Sequence, residues 1–281
     1  MPVVPVSGVP ERSGARAVER AISVLDCFST ASARLSLAEL AVRANLPAST
    51  TYRIAQALVR GGLLERHGRD GYQVGPGMVA LARPVLSRMR IDAAAPHLYQ
   101  LAERIRLPVS LGVAGDSDLI TLICARPTVR AWDDQLSSGR EPLHASAMGK
   151  TVLAFGQQGP RTRSDANVLV RFTSRTITSA TELSEDLART RQRGFGLSDE
   201  EQNEGVRALA VPVFTAERGP AIGAIGVHAP SERLTDQLVQ ELVPALQYFS
   251  RLVGRELDAP AREAGSPLTM RERACSEDDL P

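Results

Sequence analysis

The sequence predicts an α+β protein of two domains. An N-terminal winged helix-turn-helix leads through a linker helix into a larger domain built around a central antiparallel sheet. Three observations predict this. Before residue 76, helical periodicity recurs three times and is followed by a glycine-tipped hairpin. From residue 97 onward, helical stretches are interleaved with paired strands. At 281 residues the chain is long for one domain and comfortable for two. The expected division is an arm over 1–14, the winged helix over 15–76, the linker over 77–94, the second domain over 95–257 and a tail over 258–281. The arm and tail are rich in proline or charge and lack periodicity, so both are expected to be flexible.

In the first helix Val18, Ile22, Leu25 and Phe28 recur at helical spacing and are expected to be buried. Ser36 and Glu39 then form a capping box that opens a short second helix with a stripe of Leu37, Leu40, Ala41 and Ala44. Asn45 suits a left-handed stop, and Pro47 suits the first position of a third helix. That helix runs to about Val59, burying Thr51, Ile54, Ala55 and Leu58, and ends at Gly61-Gly62. Two short helices joined by a tight turn are a helix-turn-helix by spacing. Residues 63–66 and 72–74, joined through His67–Gly71, complete a hairpin wing.

Met78 to Arg90 reads as a linker helix interrupted near Pro84, and residues 97–106 as a helix after Pro96. Strands are expected at 109–113 and 119–124, across the turn Gly115-Asp116-Ser117. Helices follow at 146–156 and at 181–193, the latter opening at Thr181 or Ser184. Strands 205–214 and 221–228 are joined at Glu217-Arg218-Gly219. A closing helix carries Leu234, Leu238, Leu242, Leu246 and Phe249 on one side.

Composition narrows the function. With 43% hydrophobic residues the chain can bury real cores, and no apolar run is long enough to cross a bilayer, so a cytoplasmic protein with no membrane partner is expected. The three cysteines are odd in number and far apart, which argues against a disulfide framework and a zinc site; Cys27 and Cys124 read as small core residues. The net charge of +1 hides an asymmetry. Residues 1–90 carry twelve Arg against six Asp or Glu, which leaves −5 for the rest. A basic first third implies an anionic partner at that end. On the third helix Ser49, Thr50, Tyr52, Arg53 and Gln56 lie away from the core stripe. Such a face can enter a major groove, where Arg reads guanine and Gln reads adenine. Arg66, His67 and Arg69 of the wing are placed to meet phosphates, with Arg16 and Arg20 supporting from the first helix. The partner expected is double-stranded DNA at a pseudo-palindromic operator. The alternative is a ligand-sensing adaptor whose helix-turn-helix binds protein; salt dependence separates the two.

These stretches resemble the isocitrate lyase regulator (IclR) family of bacterial transcription factors over about residues 15–257. The resemblance is carried by Leu35–Ala41, Leu46–Arg53 and Tyr72–Gly75 in the first domain. In the second it is carried by Pro142–Lys150, Arg191–Glu201 and Gly205–Val213. It implies a GAF-like effector domain, assembly as dimers or dimers of dimers, and control of catabolic genes in answer to a small molecule. That effector would be a carboxylate or an aromatic catabolite. The residues it implies for the pocket are Leu143, Ala147, Met148, Gly149, Ser198, Asp199, Val206, Ala208, Gly226 and His228. Backbone N–H groups at 147–149, near a helix start, would suit a carboxylate. Arg130 and Trp132 lie in a loop that would reach the pocket or the surface.

Enzyme readings find little support. Gly149-Lys150-Thr151 resembles the end of a phosphate loop, but His144 stands where the loop needs glycine. Asp199-Glu200-Glu201 reads as a solvated charge cluster, and His144 and His228 as partly buried structural histidines. No catalytic set, metal-ligand spacing or cofactor motif is expected.

Overall fold

The computed structural model describes residues 13–29, 34–68, 71–115, 118–129, 139–157, 169–215 and 219–259. The expected arm and tail fall almost wholly outside these residues, as do Arg69, Arg130, Trp132 and the central residues of both expected strand turns.

Helix α1 (Ser13–Asp26), α2 (Leu37–Arg43) and α3 (Ala48–Arg60) are followed by the wing strands β2 (Leu64–His67) and β3 (Gly71–Val74). A two-residue strand β1 (Leu35–Ser36), which periodicity could not reveal, pairs with β3 to make a three-stranded sheet in the order β1-β3-β2. The capping box is formed in both directions. Ser36 N–H donates to Glu39 Oε2 at 2.7 Å, and Glu39 N–H to Ser36 Oγ at 3.2 Å. Asn45 is left-handed at φ 51°, while Pro47 sits one position earlier than expected, as the N-cap of α3. The core gathers Val24, Cys27, Leu35, Leu40, Ala55, Leu58, Leu64 and Tyr72. The expected α1 stripe is corrected: Val18 and Ile22 are exposed, and Val24 and Cys27 take the buried positions.

Two prolines are also corrected. Helix α4 (Gly77–Arg88) runs through Pro84 without interruption, and α5 (Ile91–Ile105) begins before Pro96 and contains it. Each proline forfeits one backbone hydrogen bond. In α5 the burial of Ala94, Leu98, Leu101 and Ala102 outweighs that loss. Left-handed Arg90 (φ 51°) makes the corner between the helices, its Nε donating to Glu256 O at 2.7 Å.

The second domain holds β4 (Val109–Ala114), β5 (Asp118–Ala125), β6 (Arg140–Pro142), β7 (Gly196–Asp199), β8 (Val206–Phe214) and β9 (Ala221–Pro230). They form one antiparallel sheet in the order β6-β5-β4-β9-β8-β7. The edge strands β6 and β7, of three and four residues, were not foreseen. Helices α5 and α8 (Asp236–Asp258) cover one face; α6 (Ala147–Phe155) and α7 (Ala180–Arg193) lie on the other. Ser179 caps α7, earlier than either residue proposed for the role. On α8 the buried stripe is Val239, Leu242, Leu246, Phe249 and Val253, with Leu238 only half-buried. Strand alternation sorts the sheet. Leu111, Leu209, Val211, Ile225 and Val227 enter the α5–α8 core. Their neighbours Ala210 and Ala224 join Met148 and Val152 on the α6 side. Among the described residues, no helix is long and apolar enough to cross a membrane.

Candidate DNA face and effector cavity

Helices α1 and α3 flank an open groove of about 820 Å³. Arg20, Thr50, Tyr52, Arg53 and Gln56 of the expected DNA-binding set line it. So does Arg60, which sequence reasoning missed although it lies seven residues after Arg53 and so on the same helix face. Ser49 and Arg16 are exposed outside the groove lining. Gln56 is less free than expected, because its amide donates to the Tyr72 hydroxyl at 3.3 Å. Arg66 lies over the Tyr72 ring, 5.9 Å from its centroid, so the wing's base is tied to the core.

On the α6 side of the sheet is a cavity of about 40 Å³. Ser110 pairs with Gly226, and Ala208 with His228, so three adjacent strands present these four residues to it. Small side chains create the space: a Cβ at Gly226 would meet Met148 Cγ at 2.5 Å. Seven of the ten expected effector contacts border the cavity, namely Ala147, Met148, Ser198, Val206, Ala208, Gly226 and His228. Leu143, Gly149 and Asp199 do not. Gly149 instead permits close packing, since a Cβ there would lie 2.5 Å from Leu143 Cα. Asp199 turns to Arg175 Nη1 at 2.9 Å and Arg207 Nε at 3.6 Å. The sequence reading missed Ser110, Gln202, Asn203 and, above all, Glu141. Burial pushes the Glu141 carboxyl above the usual carboxylate range, against the opposing pull of His228 and a hydrogen bond from Ser146.

At the start of α6 one N–H group is engaged by the cap: Ser146 Oγ accepts the Gly149 N–H at 2.9 Å. Behind it lies a charge cluster. Lys150 is 1% exposed and its Nζ reaches Glu201 Oε1 at 2.6 Å and Asp186 Oδ2 at 2.9 Å. Glu201 is therefore not the solvated carboxylate expected. Burial raises its carboxyl, with repulsion from Asp186 adding to the effect and Lys150 opposing it. Burial acts upward on Asp186 too, but Lys150, Arg193 and Arg189 together hold it below its ordinary value. The cavity wall at 200–203 is also pinned by backbone acceptors. Thr173 Oγ1 donates to Glu200 O at 2.7 Å and Thr176 Oγ1 to Glu201 O at 2.6 Å, while Glu200 holds φ 59°.

Residues 17–68 match the IclR helix-turn-helix domain, and residues 84–255 match the C-terminal domain of bacterial transcriptional regulators of the IclR type. This chain belongs to the IclR family. The family comprises transcriptional regulators rather than enzymes, and its N-terminal domain binds DNA. The probable transcriptional regulator SauR of Cupriavidus necator is 35% identical, over 84% of this chain and 94% of its own. The regulator BhcR of Paracoccus denitrificans is 30% identical over 92% of each chain. An IclR homolog of Microbacterium hydrocarbonoxydans, solved in complex with 4-hydroxybenzoate, shares the fold. Its TM-score is 0.68 at 24% identity, covering 87% of this chain and all of that one.

Proposed function

We propose that this IclR-family regulator works in the cytoplasm as a homodimer, or a dimer of dimers, on a pseudo-palindromic operator. Its grip on that operator is set by a small molecule in the cavity beneath α6. The observation that carries this reading is strand β6. Glu141 borders the cavity. The preceding residue, Arg140, reaches Asp26 at the end of α1 at 3.7 Å, and the Gly139 N–H donates to Ser29 O at 3.2 Å. A guest that shifts Glu141 therefore moves a strand that touches the DNA-binding head. Arg140 is about half exposed, so its ion pair contributes at most about 1 kcal/mol, weak enough to be remodelled. A coupling of about 1–3 kcal/mol changes operator affinity roughly 5–150-fold.

Apolar surface supports pairing with a second copy. Val18 and Ile22 on α1 are 60% and 51% exposed, and Val79 and Leu81 on α4 are 68% and 65% exposed. Two heads related by a twofold axis match a palindromic site. Arg53, Ser49, Thr50, Tyr52 and Gln56 are proposed to face the major groove, with Arg16, Arg20 and Arg66 on phosphates. The boundaries proposed for the functional units are 15–76 for the head, 77–94 for the linker and 95–257 for the sensor. The effector proposed is a carboxylate or an aromatic catabolite, the class the resemblance implies.

The test is fluorescence anisotropy on a site selected from random duplexes, at two salt concentrations. Arg53→Ala is expected to lose about 1–3 kcal/mol on the selected site and much less on random duplex. Binding indifferent to salt would overturn the DNA face, since phosphate contacts release counterions.

A further inference from the structure

The described lining of the cavity holds two ionisable side chains, Glu141 of β6 and His228 of β9, and no arginine or lysine. The other elements around it add no charge. Strands β4 and β7 offer Ser110 and Ser198, the wall after β7 offers Gln202 and Asn203, and α6 and β8 offer only apolar side chains. Nearby charges are committed elsewhere. Lys150 is engaged by Asp186 and Glu201, and Asp199 by Arg175. Arg207 turns away to Leu234 O at 2.9 Å and to Asp236.

The cavity nonetheless has donors for an anion. Ala147 and Met148 open α6, and the Ser146 cap takes only the Gly149 N–H, so the helix supplies no acceptor to the first two N–H groups. Ser110 is 5% exposed, and its hydroxyl has no hydrogen-bond partner among the described residues. These donors suit a carboxylate but do not balance it. A helix start carries about half a unit of positive charge, whereas a carboxylate beside an ionised Glu141 brings two negative charges together. Carboxylates sharing a desolvated site hold a proton between them, and the resulting O–H···O⁻ bond is short and strong. Glu141 suits that part. The Ser146 hydroxyl bonds it, and burial already pushes its carboxyl above the usual carboxylate range against the pull of His228.

We propose that a carboxylate effector enters the cavity together with one proton from solvent, held between its carboxylate and the Glu141 carboxyl, so that binding tightens as pH falls. This rests on the cavity being the site of a carboxylate effector. The sign follows from the charges. The guest makes Glu141 harder to ionise, so affinity is full below the pH at which Glu141 ionises in the free protein. Above that pH it falls by up to about tenfold per pH unit. The operator response to a given effector concentration then weakens in alkaline conditions.

The test is isothermal titration calorimetry of the full chain with formate and acetate. They are the smallest carboxylates, chosen because about 40 Å³ is room for roughly three waters. Titrations run at about pH 6 and about pH 8, where both probes are ionised. Each is repeated in buffers of low and high ionisation enthalpy, which counts the protons taken up per guest. At least one probe is expected to bind saturably, taking up roughly 0.5–1 proton at the higher pH and binding at least about tenfold more weakly there. Glu141→Gln should abolish the uptake and bring the two affinities within about twofold, whereas His228→Gln should leave most of the uptake in place. Saturable binding to the wild type without proton uptake overturns the proposal with no variant needed. So does uptake that survives Glu141→Gln, uptake lost in His228→Gln, or no binding of either probe. Ala208→Phe, which plugs the cavity, separates the two readings. Binding without uptake that the plug abolishes leaves the effector site and removes only the proton, whereas binding that survives the plug removes the effector-site reading too.

Discussion

Replacing Lys150 by methionine removes one ammonium from a site where it is 1% exposed, 2.6 Å from Glu201 and 2.9 Å from Asp186. Methionine keeps most of the stem, so cavity formation adds little. What remains is a pair of buried carboxylates without their shared cation, and breaking such an arrangement costs about 3–5 kcal/mol. For a domain of this size that lowers the unfolding midpoint by about 6–20 °C, at roughly 2–4 °C per kcal/mol. The pH dependence has a definite sign. Asp186 is held below its ordinary value, so its stabilisation is present above the unfolded-state value of about 3.9 and lost as pH falls through the folded value. Glu201 is raised, so its charge costs stability at neutral pH and acidification relieves that cost. Without Lys150 both carboxyls rise, and the variant's deficit should be full at pH 7.5 and shrink toward about pH 4.5. Scanning calorimetry at both pH values reads this directly. An equal deficit at both, or a midpoint within about 1 °C of the wild type at pH 7.5, would refute the reasoning. Adding Asp186→Asn and Glu201→Gln to the Lys150→Met variant should recover most of the lost stability, because the orphaned charges are gone.

Three further outcomes are expected. Ser146→Ala removes the α6 cap and Glu141's partner together; it should cost about 0.5–2 kcal/mol in denaturant unfolding without altering DNA binding in the absence of effector. Ile22→Glu combined with Leu81→Glu, both at exposed positions, should shift the assembly toward monomer in sedimentation and weaken operator binding more than random-duplex binding. Arg140→Ala removes the side-chain tie between β6 and the end of α1, leaving only the Gly139 to Ser29 backbone bond beside it; effector response should fall while effector affinity changes less than about threefold.

Much of the winged helix was legible because its signals are local. The capping box at Ser36 and Glu39, the left-handed Asn45 and the glycines around the hairpin each act within a few residues. Strand β1 escaped because two residues carry no periodicity and its partner Tyr72 lies far along the chain. The exposed Val18 and Ile22 were misread as core because an apolar stripe does not say whether its partner belongs to the same chain. Pro84 and Pro96 were read as breaks, yet both lie inside helices; around Pro96 the buried face of α5 outweighs the lost hydrogen bond, whereas α4 buries no residue that would explain Pro84. In the cavity, sheet register brings Ser110, Ala208 and Gly226 together, and motif positions alone pointed to two of the three. Glu141 was overlooked and Glu201 was taken for part of a solvated cluster for a common reason: an acidic residue looks solvated until the fold places a serine, a histidine or a lysine against it.

The most direct test of the central claim, that operator binding answers to the cavity, is a mobility-shift titration. It uses the chain's own upstream intergenic DNA at two salt concentrations, with random DNA competing and with the wild type beside the Ala208→Phe variant. Expected is a salt-sensitive, competitor-resistant complex whose affinity changes about 5–150-fold in Ala208→Phe, since a phenylalanine that fills the cavity mimics occupancy and displaces β6. A complex of unchanged affinity in a well-folded plugged variant would contradict it.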